Sequence, residues 1–247
     1  DYAVTISQGD TTYPSTSKLA VGEYTVKVEM VNGNYKLVGY TEFTVAVEQA
    51  DATAVFEPVA DYVYTGDSNG DLWKEIAADV VVTGTAADGI LAIDEDPEAA
   101  DGDYSVVISQ NGTIFKPEDV LEVGEYTLAV VMNNNNYQFV GDTEFDVVII
   151  KAVADAVLET TEYVYTGDPT GKLWSEIASN VVVTGTASDG QLVLDEDYTV
   201  TILQGSKTFA LEDKLEVGDY TVAVTMNNPN YRFADVVEFT VTVTDAA

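Results

Sequence analysis

The chain repeats itself, and that constrains its fold more than any single motif. Tyr62-Val63-Tyr64-Thr65-Gly66-Asp67 returns as Tyr163-Val164-Tyr165-Thr166-Gly167-Asp168. Leu72-Trp73 with Glu75-Ile76-Ala77 returns as Leu173-Trp174 with Glu176-Ile177-Ala178. Val81-Val82-Thr83-Gly84-Thr85-Ala86 returns as Val182-Val183-Thr184-Gly185-Thr186-Ala187, and all three pairs lie 101 residues apart. Each copy must then form the same structural unit. Further on, Val123-Gly124-Glu125-Tyr126-Thr127 matches Val217-Gly218-Asp219-Tyr220-Thr221 at a spacing of 94. The acidic stretch from Pro97 to Asp103 accounts for the 7 residues by which the middle copy is longer. An insertion tolerated there marks a surface loop.

A third copy is partial. Tyr2-Ala3-Val4-Thr5-Ile6-Ser7-Gln8 aligns with Tyr104-Ser105-Val106-Val107-Ile108-Ser109-Gln110, and Val21-Gly22-Glu23-Tyr24-Thr25 and Phe43-Thr44-Val45 keep the same offset. The chain divides into the second half of a repeat at 1–48, a full repeat at 49–150 and a full repeat at 151–247. Alone, the strands of 1–48 would expose unpaired edges and an open apolar face. Neither end supplies a missing first half, so end-to-end donation between identical chains cannot complete this copy in the simple register. The expectation is a fragment of a longer polypeptide, or closure of 1–48 by different packing, including contacts in a fibre.

Within each copy, apolar and polar residues alternate with period two, the mark of half-buried strands. Tyr198, Val200 and Ile202 share one face, as do Tyr220, Val222, Val224 and Met226, and Phe239, Val241 and Val243. Leu72, Trp73 and Ile76 (with Leu173, Trp174 and Ile177) instead fall on one helical face after a Gly/Asp/Asn turn. Trp73 and Trp174 read as core plugs more readily than as ligand stackers, because each sits in the same helical frame. Six or seven short strands per copy, closely spaced by turns, predict a mainly β fold. It takes the form of tandem Ig-like antiparallel β-sandwiches, each with one short helix. Modules of the β-grasp type are the alternative. Leu-x-Val-Gly-Glu/Asp-Tyr-Thr places Tyr24, Tyr126 and Tyr220 at the start of a late strand, where a tyrosine corner packs its ring inward and bonds its hydroxyl to backbone. The Asn-rich tips at 32–34, 133–136 and 227–230 read as turn residues.

Composition then removes functions. The chain has 43 Asp or Glu against 10 Lys or Arg, a net charge of −33, with no Cys and no His. Nucleic-acid binding is excluded because it needs clustered cations, and an anionic membrane surface is disfavoured for the same reason. No disulfide scaffold, Cys/His zinc site or Cys or His nucleophile–base pair can be built. No apolar run approaches the roughly 18 residues that span a bilayer. The first residues, Asp1-Tyr2-Ala3-Val4-Thr5, carry no signal segment, so a mature chain, a fragment or a cytosolic protein is expected.

The string Val-Gly-Glu-Tyr-Thr-Val, followed by Asn-Tyr and Phe-Thr-Val and preceded by an aromatic-Thr-Gly-Asp turn, resembles the repeats of large bacterial surface proteins. These are the bacterial Ig-like and MBG/YDG-type repeats of adhesins and cell-wall-anchored stalks. The resemblance implies an extracellular, non-catalytic repeat array and carries no functional residues across. The Trp helix and the roughly 100-residue period depart from the shortest family members.

Acidic clusters are the remaining candidate chemistry. Asp94, Asp96, Asp101 and Asp103 lie in or beside the insertion, and closely spaced carboxylates can ligate calcium. The bland reading, a solvated loop that keeps the module soluble, is preferred, because the spacing lacks the alternating Asp-x-Asp-x-Asp-Gly order. No other cofactor is expected. Asp67-Ser68-Asn69-Gly70-Asp71 reads as a turn and helix cap. A glycosidase carboxylate pair is disfavoured because the acids recur with the repeat. A Lys–Asn isopeptide bond is disfavoured because Lys116, Lys151 and Lys214 occupy non-equivalent positions. Asn111-Gly112-Thr113 fits a glycosylation acceptor, at the level of chance.

Two functions follow. The first is a structural segment of a surface stalk, adhesin or filament whose partners are neighbouring repeats, extended by short linkers and like charge. The second is a module that binds a host glycan or protein through its loop tips, with or without calcium. An enzyme is not expected, and a halophile's solvation charge would also explain the acidity.

Overall fold

Alternating Val, Ile, Tyr and Thr suit a pleated, half-buried surface, and Gly and Asn end each run in a turn. In the computed structural model, which describes every residue except 88, 95–101, 189 and 247, these runs become strands. The partial copy contains β1 (Tyr2–Gln8), β2 (Thr11–Tyr13), β3 (Gly22–Met30) and β4 (Glu42–Val47). The middle copy contains β5 (Ala50–Phe56), β6 (Tyr62–Val63), helix α1 (Asp71–Ala78), β7 (Val80–Gly84), β8 (Tyr104–Gln110), β9 (Thr113–Phe115), β10 (Gly124–Met132), β11 (Tyr137–Phe139) and β12 (Glu144–Ile150). The last contains β13 (Ala152–Leu158), β14 (Glu162–Val164), α2 (Lys172–Ser179), β15 (Val181–Gly185), β16 (Tyr198–Gln204), β17 (Lys207–Phe209), β18 (Gly218–Met226), β19 (Tyr231–Phe233) and β20 (Val237–Thr244).

The fold is mainly β. Its sheets run β2-β1-β3-β4, β6-β12-β10-β8-β9, β11-β5-β7, β15-β13-β19 and β14-β20-β18-β16-β17. The long ladders are antiparallel, as in β16 with β18 and β18 with β20. Four short strands add parallel pairs: β6 on β12, β11 on β5, β14 on β20 and β19 on β13. Parallel pairing needs a long crossover, and tens of residues separate the members of each pair. Among the described residues each full copy has eight strands, against the six or seven expected. Two- and three-residue strands such as β6 and β17 carry too few alternations to register as strands in sequence.

The described residues form two compact units. One comprises Asp1–Glu57, Val80–Val107 and Ala129–Phe145; the other comprises Pro58–Asp79, Ile108–Leu128 and Asp146–Ala247. The second unit contains the whole last copy, where the sandwich is plainest. Tyr198, Val200 and Ile202 of β16, Val222 and Val224 of β18, and Val241 of β20 are buried on one face of the larger sheet. Ala152, Ala154, Val181 and Val183 are buried on the smaller sheet, with Leu173 and Ile177 of α2. The Tyr198 hydroxyl crosses from one sheet to the other and donates to the Val181 carbonyl at 2.8 Å. In the first unit the equivalent Tyr104 hydroxyl donates to the Val80 carbonyl at 3.0 Å. Phe56 of β5 also meets Phe145 of β12 with ring centroids 5.8 Å apart. No helix among the described residues is long and apolar enough to cross a membrane.

Candidate functional site

Several positions recur between copies, beginning with the tyrosine after the Gly turn. Tyr24, Tyr126 and Tyr220 are all buried. Each hydroxyl donates at 2.8 Å to the carbonyl four residues earlier, that of Ala20, Glu122 or Glu216. An aromatic ring from the preceding short strand (Tyr13, Phe115 or Phe209) meets each one edge-on, at centroid distances of 5.5, 5.4 and 5.3 Å. Burial pushes the Tyr126 and Tyr220 phenols above their ordinary range, against the hydrogen bond to backbone that lowers them. Replacing Tyr220 with Phe keeps the ring contact and removes only the hydroxyl. It should cost about 1 kcal/mol, the usual net worth of one hydrogen bond, read as a lower denaturation midpoint at unchanged denaturant slope.

The tryptophans sit on the helices. Trp73 is buried and its indole N–H donates to the Phe115 carbonyl at 3.3 Å. Trp174 is half-buried and donates to the Phe209 carbonyl at 3.1 Å. Both indoles therefore fasten the helix to the short strand that carries the tyrosine's aromatic partner. Each helix starts at a left-handed glycine, Gly70 or Gly171. Ahead of α1, the Asp67 carboxylate accepts from the backbone N–H of Asn69 and from that of Asp71, both at 2.9 Å. These backbone bonds hold its pKa below the usual carboxylate value. In the last copy Asp168 accepts from the Thr170 hydroxyl and backbone N–H instead.

Of the four acidic ligand candidates, Asp96 and Asp101 lie outside the described residues. Asp94 is buried, and its carboxylate lies 3.5 Å from the Asn133 amide nitrogen. Asp103 accepts from the Ala92 backbone N–H at 2.9 Å and from the Asn134 amide at 2.6 Å. Asp197 makes the equivalent pair of bonds, to Val193 N–H at 2.8 Å and Asn228 at 2.7 Å. Asp103 and Asp197 are thus clamps that fix the entry to β8 and β16 against the Asn-rich tip. Among the described residues no group of three or more Asp or Glu is placed to hold a metal ion.

A further recurrent position is at the joint between copies, and sequence reasoning missed it. Asn136 of the middle copy accepts from the backbone N–H of Val21 at 2.9 Å, and Asn230 of the last copy accepts from that of Val123 at 3.0 Å. The linkers join at the same tips: Ala50 N–H donates to the Asn136 carbonyl at 2.9 Å and Ala152 N–H to the Asn230 carbonyl at 3.0 Å. At the second joint, Tyr64 packs edge-on against Tyr231 at 5.6 Å, and Ser188 donates from both its N–H and its hydroxyl to the Thr65 carbonyl. The recurrence of the Asn tips at Asn34, Asn136 and Asn230, each before a Tyr, was the signal available.

No family model matches the chain, and no curated protein matches it in sequence. Among solved structures it is similar to domains 4–9 of surface layer protein SbsC, at 12% identity and a TM-score of 0.34, over 98% of this chain and 42% of that one. The chain thus spans less than half the length of that fragment. It is also similar to titin domains I67–I69, at 8% identity and 0.27, over 100% of this chain and 88% of that one. Drosophila N-cadherin EC1-3 matches at 14% identity and 0.24, over 94% and 80%. Scores this low carry no argument, and the β assignment rests on the sheets themselves.

Proposed function

We propose that the chain is a non-catalytic structural repeat array, a segment of an extracellular bacterial surface stalk, adhesin or filament whose partners are its own neighbouring repeats. The observation that carries this reading is the joint. The same Asn-to-Val bond occurs between the partial and middle copies and again between the middle and last. A joint with repeating geometry suits modules meant to be strung together, whereas a loose linker would leave them independent. The acidic coat fits the same role, since like charge keeps copies of an array from clumping. The recurrent Tyr, Trp and Asp positions are all occupied in holding strands, helices and tips together, which supports a scaffold more than a reaction centre.

The test is the Asn230→Ala variant of the full chain. Nearest-neighbour coupling through the joint should fall by about 1 kcal/mol. Amide exchange at Val123 should speed up several-fold, with the Tyr220 region unchanged. An unaltered Val123 amide would remove the joint as the carrier of the reading. Saturable binding of the native chain to a glycan or protein panel would favour the adhesive module instead.

A further inference from the structure

The sheet β2-β1-β3-β4 repeats the register of its counterpart in the last copy. Val4 faces Val28, Ile6 faces Val26 and Tyr24 faces Val45, as Val200 faces Val224, Ile202 faces Val222 and Tyr220 faces Val241. The burial of the two faces differs sharply. Tyr198, Val200 and Val241 are 3%, 7% and 0% exposed, whereas Tyr2, Val4 and Val45 are 65%, 53% and 45% exposed, and Phe43 is 49% exposed. An apolar sheet face of this kind, left open, marks an interaction surface.

What covers this face elsewhere in the molecule is visible three times over. Tyr198, the counterpart of Tyr2, donates to the Val181 carbonyl of a first-half strand. Phe145, the counterpart of Phe43, packs on Phe56 of another first-half strand. The edges of β12 and β20, the counterparts of β4, carry the parallel first-half strands β6 and β14, while β4 is the outer strand of its sheet. The hydroxyl, the ring and the edge therefore all ask for one occupant. We propose that the open face and free edge of β2-β1-β3-β4 dock one further first-half segment. This is a strand–strand–helix–strand polypeptide with the apolar pattern of residues 152–194, including its Leu-Trp-x-x-Ile-Ala helix. The segment is additional to the two in this chain. Residues 1–247 hold three second halves and two first halves, and the short strands β6 and β14 of those two first halves already pair with β12 and β20.

The experiment uses the full chain with a duplicate of residues 152–197 joined ahead of Tyr2, so that the duplicate's Asp197 takes the place of Asp1. A matched variant carries Ile177→Asp in the duplicate only. Docking should slow amide exchange in β1 and β3 by ~100-fold or more, abolish binding of an apolar-surface dye and leave the particle monomeric. Ile177→Asp in the duplicate should return exchange to the parental rate. Unchanged exchange in β1 and β3 of the fused chain would overturn the proposal. So would a parental dimer in sedimentation that Val4→Asp dissociates, since two open sheets would then be covering each other.

Discussion

Replacing Gly171 with alanine should destabilise the last copy by about 3 kcal/mol, combining backbone strain with overpacking. Gly171 has φ +73°, and a Cβ there would run into the Leu211 carbonyl. The chain enters α2 at this point with the 211–212 backbone directly against it, so neither side can yield by a rotamer change. Gly205 is the control: it has φ +61° and nothing within 4 Å of a Cβ. Gly205→Ala should therefore cost only the strain, about 1 kcal/mol. Urea denaturation of the two variants separates the contributions. Equal midpoints would show that the close approach to Leu211 does not matter.

Trp73→Ala should be the most damaging change among the recurrent side chains, at roughly 3–5 kcal/mol for a large buried aromatic. It removes an indole that is only 3% exposed and leaves the Phe115 carbonyl without its donor. The same truncation at half-buried Trp174 should cost less, because part of that side chain is already solvated. Trp73→Phe should recover most of the loss, falling short by about 1 kcal/mol for the missing hydrogen bond. Thermal and denaturant unfolding of the three variants check the order. If Trp73→Ala and Trp174→Ala cost the same, the difference in burial does not govern their contributions.

The internal repeat and period-two alternation were enough to place the long strands. β16 and β18, for example, are read directly from Tyr198 to Ile202 and from Tyr220 to Met226. The helix was equally legible, since Leu72, Trp73 and Ile76 fit only a 3.6-residue period. Two classes of feature were not. Short strands such as β6 and β19 have no periodicity to read, and their parallel pairing depends on partners 70 or more residues away. The spacing of the acidic residues does not name their partners either. Asp103 accepts from Ala92 and Asn134, a pairing that depends on where the Asn tip returns.

The sequence by itself determined the mainly β class, the helix in each full copy and the division of residues 1–247 into repeated halves. All are written in local periodicity and in the count of repeated segments. Only the tertiary structure decided which residues make the joints and how open the leftover face is. The bonds Val21–Asn136 and Val123–Asn230 span 115 and 107 residues, and no local pattern names a partner at that distance. Exposure likewise belongs to the packed molecule: Val4 and Val200 sit in the same Tyr-x-Val-Thr-Ile frame, and the layer above them differs.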